Sequence, residues 1–298
     1  MLISSINMQF RSHERRIRMY EPKYQPRLSD ALTSFSGLRY DFMSRTRYKY
    51  RDDPDADPVH NHTFLEIFYN VSSDVSFLVN GSLYPVPVGD AIVTRAGDLH
   101  MGIFNSDNLQ SYACIWIDAD FDSPEFAFLH RKDFSPLFSF DAETRPLMRS
   151  LVISLMSARK EGGSALEQAS YLMQMLVLLE KNETSGPEKP YIPIALQRII
   201  DGINRNFASI RNVNDILTTH FISSATLTRW FRKYIHSSPR EYLESVRLSN
   251  ATKMLVNGSS VTEACMSSGF SDCSHFIALF KKRFGETPYS YKKQSMKK

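Results

Sequence analysis

A chain of 298 residues, 42% hydrophobic and 23% charged, has the size and balance of a soluble globular protein with two separate cores. Three cysteines without a CxxC spacing argue against a disulfide framework and against a zinc finger. No signal-type apolar core opens the chain, and the longest apolar run, 171–179, is interrupted by Gln174 and too short to span a bilayer. The expectation is a cytoplasmic protein without membrane contact. The net charge of +4 is unevenly distributed. From Pro190 onward 16 Lys and Arg oppose 7 Asp and Glu, whereas the preceding part carries 20 against 25. A polyanion is therefore expected to meet only the C-terminal third.

In chain order, residues 11–18 form a charged patch, and Pro22 and Pro26 argue against long helices nearby. Alternation over 38–50 predicts a strand, followed by an acidic, proline-punctuated loop at 52–58. Short strands are predicted at 64–71, 75–79, 82–86, 89–94 and 112–117, with Asn80-Gly81 as a hairpin turn. This density of short strands implies a compact β-barrel or sandwich. After Phe121 the period becomes helical, giving helices at 146–160 and 164–182 broken by Gly162-Gly163. Leu166, Ala169, Leu172, Met173, Leu176 and Leu179 form an apolar seam that needs burial, either on the barrel or on a second copy of the chain.

Residues 182–193 are rich in Gly, Pro, Ser and charge and read as a linker. A helix at 194–206 then buries Leu196, Ile199, Ile200 and Ile203. Asn212 is positioned to cap a helix over 213–219. After a turn at 220–222, Ser223 caps a second one carrying Leu227, Trp230 and Phe231 inward. One long helix at 240–256 leads to a second helix-turn-helix outline. It has a short helix from Val261, a turn at Ser268-Gly269-Phe270, and a helix opened by Ser271 with Phe276, Leu279 and Phe280 on one stripe. Lys281, Lys282 and Arg283 crowd its end, Gly285 stops it, and Thr287-Pro288 begins another segment.

Val261-x-Glu263-Ala264, Gly269-Phe270-Ser271-Asp272, Phe276, Phe280-Lys281-Lys282, Phe284-Gly285, Thr287-Pro288 and Tyr291 resemble the C-terminal signature of the AraC/XylS family of bacterial transcription regulators. The resemblance covers about the last hundred residues. Cys265 and Leu217 stand where that family prefers alanine, and His236 where it prefers glycine. More loosely, His60-x-His62, Glu66, Asn80-Gly81, Tyr84, Gly89-Asp90 and Gly97-x-x-His100 resemble the cupin-like effector domain of many such regulators. Ala96-Gly97 and Ser72-Ser73 depart from its usual proline and glycine positions.

The resemblance implies an α+β chain of two domains: a cupin-like β-barrel with a helical dimerisation segment, and an all-α domain with two helix-turn-helix units. The expected boundaries are 1–140 for the effector domain, 141–183 for the dimerisation helices, 184–193 for the linker and 194–298 for the DNA-binding domain. The implied function is a sequence-specific transcriptional activator, not an enzyme. Its implied partners are double-stranded promoter DNA, a small effector, a second copy of the chain and RNA polymerase, with no cofactor.

Two such units on one connector suit two successive major-groove segments. In the first, Ser224, Ala225, Thr228 and Arg229 face away from the apolar stripe. Arg229 suits a bidentate guanine contact, the alternative being a phosphate contact, and Arg232 joins it as a DNA-binding candidate. The equivalent second face is Cys273, Ser274, Ile277 and Ala278, with Lys281 and Lys282 beyond it. With no long hydrogen-bonding side chain, this half is expected to read thymine methyls and shape, or to add mainly affinity. In the barrel, His60, His62, Glu66 and His100 are candidates to hold a sugar, polyol or acid by hydrogen bonds, with Trp116 and Tyr69 as a stacking wall or as core. The same four residues match the ligand set of metal-dependent cupins, so the alternative is a bifunctional regulator with a metal-dependent enzyme site.

Overall fold

The computed structural model describes residues 33–35, 38–48, 59–62, 64–131, 134–182 and 192–295. The patch at 11–18 with Pro22 and Pro26, the acidic loop at 52–58 and linker residues 184–191 lie outside them.

The first half is built from β1 (Thr33–Phe35), β2 (Leu38–Tyr48), β3 (Leu65–Asn70), β4 (Val75–Val79), β5 (Ser82–Val86), β6 (Ala91–Thr94), β7 (His100–Phe104), β8 (Leu109–Asp118) and β9 (Leu137–Phe138). One antiparallel sheet has the order β1-β2-β8-β3-β6-β9 and the other β5-β4-β7. Among the described residues no ladder closes these sheets into a cylinder, so the expected barrel is an open two-sheet sandwich. Side chains satisfy backbone groups at the corners between the sheets. Asn70 donates to the carbonyls of Ser73 and Val86, Gln110 accepts from the Asp74 amide, and Asp98 accepts from that of Arg95. Asn80-Gly81 makes the expected hairpin, both residues with positive φ (47° and 94°).

Strand alternation divides the interior. Phe68, Phe77, Tyr112 and Trp116 fill the space between the sheets. Leu65, Ile67 and Tyr69 face the other way, onto α1 (Thr144–Glu161) and α2 (Ala165–Lys181). The packing divides the seam between its two alternatives. Ala169, Leu172, Leu176 and Leu179 are buried in this same core, whereas Leu166 and Met173 are exposed on the opposite side of α2. The apolar face of the sheet covers this side of the helix, and each buried leucine contributes roughly 1.5–3 kcal/mol.

The second half is helical: α3 (Ile194–Asn206), α4 (Val213–His220), α5 (Ser224–Trp230), α6 (Pro239–Val256), α7 (Val261–Ser267), α8 (Cys273–Phe284) and α9 (Pro288–Ser295). Between α5 and α6 the chain makes a π-helical turn over Phe231–Ile235 and leaves it at His236 with φ 54°. That left-handed conformation explains why glycine is favoured at this position. Reciprocal capping boxes, Ser238 with Glu241 and Ser260 with Glu263, open α6 and α7. Asp272, not Ser271, caps α8, because its carboxylate reaches both the Ser274 and the His275 amides. Gly269 is required twice over: its φ is 85°, and a Cβ there would lie 2.8 Å from the Ala208 backbone.

The two halves share a core. Leu78, Leu83, Met101 and Ile103, on the outer face of the three-stranded sheet, pack with Leu196, Ile199, Ile200 and Ile203 of α3.

Candidate functional site

Both helix-turn-helix units hang on α6, of whose 18 residues eleven are buried. Arg247 of α6 ties them together. Its guanidinium donates to the Phe207 and Ile210 carbonyls beside the first unit and lies over the Phe270 ring of the second. A groove of about 750 Å³ separates the units and is lined in part by Arg211, Asn212, Arg240 and His275.

In α5, buried Leu227 anchors the helix, with Phe231 just beyond it. This leaves Ser224, Ala225, Arg229 and Arg232 exposed and Thr228 half-buried. In α8, Phe276 and Phe280 are the anchors, and Ser274, Ile277, Ala278, Lys281 and Lys282 are exposed. Cys273 differs from expectation: it is half-buried, with its Sγ 2.7 Å from that of Cys265. The surface therefore carries arginines on and just beyond α5 and small or apolar groups on α8, with lysines at its end.

The second constellation lies between the sheets. His60 bridges His100 through paired backbone hydrogen bonds of 3.0 and 2.8 Å, Glu66 projects from β3, and His62 reaches its carboxylate at 2.9 Å. His100 Nε2 lies 3.3 Å from the same oxygen. One ligand atom from each of the four residues falls within 4.8 Å of the others. The rings pack tightly, with centroids 4.4 Å apart for His60–His100 and 4.8 Å for His62–His100. Trp116 and Thr94 flank Glu66 in register on the neighbouring strands, and the indole Nε1 and hydroxyl are buried without a hydrogen-bond partner. Tyr69 faces the helices instead. Sequence reasoning missed Thr94, although the alternation that placed Glu66 inward applies equally to β6.

Burial, then the neighbouring imidazoles, push His60 well below the usual histidine range, and Arg283 of α8 adds to the effect. Burial also lowers His62. For Glu66 burial acts upward, but the contacts from His100 and His62 outweigh it and hold the carboxyl well below its usual range.

The hydrogen-bond directions conflict with a simple closed network. His62 Nδ1 lies 2.8 Å from the Phe64 carbonyl and His100 Nδ1 2.9 Å from that of Asp98. Carbonyls only accept, so each Nδ1 carries the hydrogen, and in a neutral ring Nε2 is then a bare lone pair. Two neutral rings would therefore turn lone pairs toward the Glu66 carboxylate, whereas a ring that also carries a hydrogen on Nε2 donates to it and holds it ionised. A backbone carbonyl holding the far nitrogen is also how metal-ligating histidines are commonly oriented. Ligands about 2.0–2.2 Å from an ion lie up to roughly 4.3 Å apart, so slight closure would fit this set to a divalent transition metal.

The cluster also adjoins the helical half. The Gly97 amide donates to the His62 carbonyl (2.8 Å), and the Gly97 carbonyl accepts from Lys253 Nζ of α6 (2.9 Å). Asn80 links the hairpin to this loop by donating to Asp98, and Gln197 of α3 donates to the Gly81 carbonyl.

Residues 218–294 match a family model described as a helix-turn-helix domain. The chain is 28% identical over 247 residues to the HTH-type transcriptional activator RhaS of Escherichia fergusonii, covering 78% of this chain and 86% of that protein. It is 24% identical over 252 residues to the activator RhaR of Mannheimia succiniciproducens, covering 81% and 89%. A crystal structure of apo ToxT from Vibrio cholerae aligns over 87% of this chain and 97% of that one, at 13% identity and a TM-score of 0.36. No helix among the described residues is long and apolar enough to cross a membrane. With its paired helix-turn-helix units and a preceding β-domain, the chain is similar to helix-turn-helix transcriptional activators.

Proposed function

We propose that the protein is a DNA-binding transcriptional activator whose grip on its promoter is set by a ligand in the first domain. The observation that carries the DNA reading is the pair of exposed reading faces on one buried connector, α6. In this reading Arg229 contacts a guanine, and Arg232, Lys281 and Lys282 hold phosphates. Ser224, Ala225, Thr228, Ser274, Ile277 and Ala278 complete the faces, and Cys273 contributes from behind. The effector domain spans 1–140, the helical segment 141–183 and the DNA-binding domain 194–298, after a linker at 184–193. A second copy of the chain docks on the exposed stripe of Leu166, Met173 and Val177, and activation proceeds through RNA polymerase in the cytoplasm. The test is competition binding: full-length protein is titrated onto a promoter fragment at several salt concentrations. Retained preference over random competitor, with log affinity falling linearly against log salt, supports the reading. Equal binding to both DNAs would reduce it to non-specific association.

The ligand site comprises His60, His62, Glu66, His100 and Trp116. The unpartnered Trp116 Nε1 and Thr94 hydroxyl beside Glu66 favour a small polar effector. A second reading, favoured by the convergence of one ligand atom from each of the four residues, is that a divalent transition metal occupies the cluster as the effector or as its anchor. A bound metal would supply the positive charge toward which all four side chains converge. Metal analysis of untagged protein separates the two. A stoichiometric metal lost in His60→Ala supports the ion, whereas metal-free protein that still responds to an organic inducer supports hydrogen bonding alone.

A further inference from the structure

Cys265 lies fully buried in α7, and Cys273 is the first residue of α8, half-buried across the turn. Their sulfurs are 2.7 Å apart, and a disulfide bond is about 2.05 Å, so closing it needs less than roughly 1 Å of movement. The turn between them is held firmly, with Gly269 against the Ala208 backbone and Phe270 in the core. The third cysteine, Cys114, is remote, between the sheets of the other domain. Intracellular proteins seldom keep structural disulfides, and those that form there are usually transient and redox-sensing.

We propose that Cys265 and Cys273 are a reversible dithiol–disulfide pair, oxidised by hydrogen peroxide, that sets the position of the second reading helix. Cys273, the more exposed sulfur, attacks first as its thiolate. An S–O bond forms to the peroxide, the O–O bond breaks, and hydroxide leaves and takes up the proton released from the thiol, giving a sulfenic acid and water. Cys265 then attacks the Cys273 sulfur: the S–S bond forms, the S–O bond breaks, and the thiol proton departs with the hydroxyl as a second water. Two electrons pass from the thiols to the peroxide, and a dithiol reductant reverses the change. Burial first, then the contact with Cys273, push the Cys265 thiol up to about 12, which suits a resolving rather than an initiating sulfur. Drawing Cys273 inward shifts the first turn of α8, which presents Ser274 and leads to Ile277.

This inference rests on the DNA-binding reading, and its test separates the two. Full-length protein is treated with hydrogen peroxide, its disulfide is mapped by peptide mass, and its affinity is measured for DNA that the reduced protein selects from a random pool. The expected result is an intramolecular Cys265–Cys273 bond with Cys114 still in its thiol form. An approximately tenfold loss of affinity should accompany it, the scale of one misplaced base contact, and dithiothreitol should restore binding. Cys265→Ala, which installs the family's usual residue, should form no bond and keep its affinity under peroxide. The proposal is overturned by absence of the bond, by a bond to Cys114 or between chains, by a bond without loss of affinity, or by equal loss in Cys265→Ala. Selection of no DNA by the reduced protein would count against the DNA-binding reading, while the mapping would still decide whether the bond forms.

Discussion

Lys253 Nζ lies 2.9 Å from the carbonyl oxygen of Gly97, so the connector between the reading units touches the loop that carries the polar cluster. The same glycine's amide donates to the His62 carbonyl, which leaves one residue between the polar cluster and α6. A hydrogen bond from a charged donor contributes about 1.5–3 kcal/mol. Lys253→Met is therefore expected to loosen domain docking without unfolding either domain, seen as faster amide exchange at residues 95–99 and along α3. Unchanged exchange would show that the contact does not hold the domains together.

Arg229 is exposed on α5 beyond its buried anchors. Arg229→Ala should cost about 1–3 kcal/mol of DNA affinity and relax preference at one position of the site. A uniform loss on every sequence would instead identify a phosphate contact.

The second reading helix should be less discriminating. Ala278 has no hydrogen-bonding group, and the Cys273 sulfur is turned toward Cys265. Ala278→Ser should alter a selected binding site less than Arg229→Ala does. A half-site strictly specific for guanine opposite α8 would contradict this.

Adjacent residues of α2 should behave oppositely. Leu172 is fully buried, so Leu172→Glu places an unpaired carboxylate in the core and should lower stability by at least about 3 kcal/mol in thermal or denaturant unfolding. Met173 is 44% exposed on the outer stripe, so Met173→Glu should leave melting nearly unchanged and shift the sedimentation of the full chain toward monomer. A monomeric wild type, or a dimer indifferent to Met173→Glu, would move the interface elsewhere.

Local chemistry made much of this fold legible. Asn80-Gly81, Gly162 and Gly285 each mark a turn or helix end through a positive φ, and the α3 stripe at 196, 199, 200 and 203 is buried as its spacing predicts. What pattern could not supply was partner choice. The α2 seam reads identically whether a sheet or another chain covers it, and only the packing placed Leu172 inward. Strand β7 was missed because Gly102 and the polar His100 break its apolar run; Gly102 sits where a Cβ would press on the Phe77 ring at 3.3 Å. The four cluster residues could be named from the resemblance to a cupin-like domain, but the contacts that fix the His62 and His100 rings depend on carbonyls of Phe64 and Asp98 that no motif encodes.

The burial of α6 has a consequence for the DNA itself. A connector packed on both reading units cannot stretch, and Arg247 pins the Phe207–Ile210 loop beside it. It therefore acts as a ruler. One base pair inserted between the two half-elements of a site would turn the second about 35° around the duplex, so one unit would have to let go or the DNA would have to untwist. Regulatory sites for this protein should vary in the bases under α8 far more freely than in the distance that separates them from those under α5.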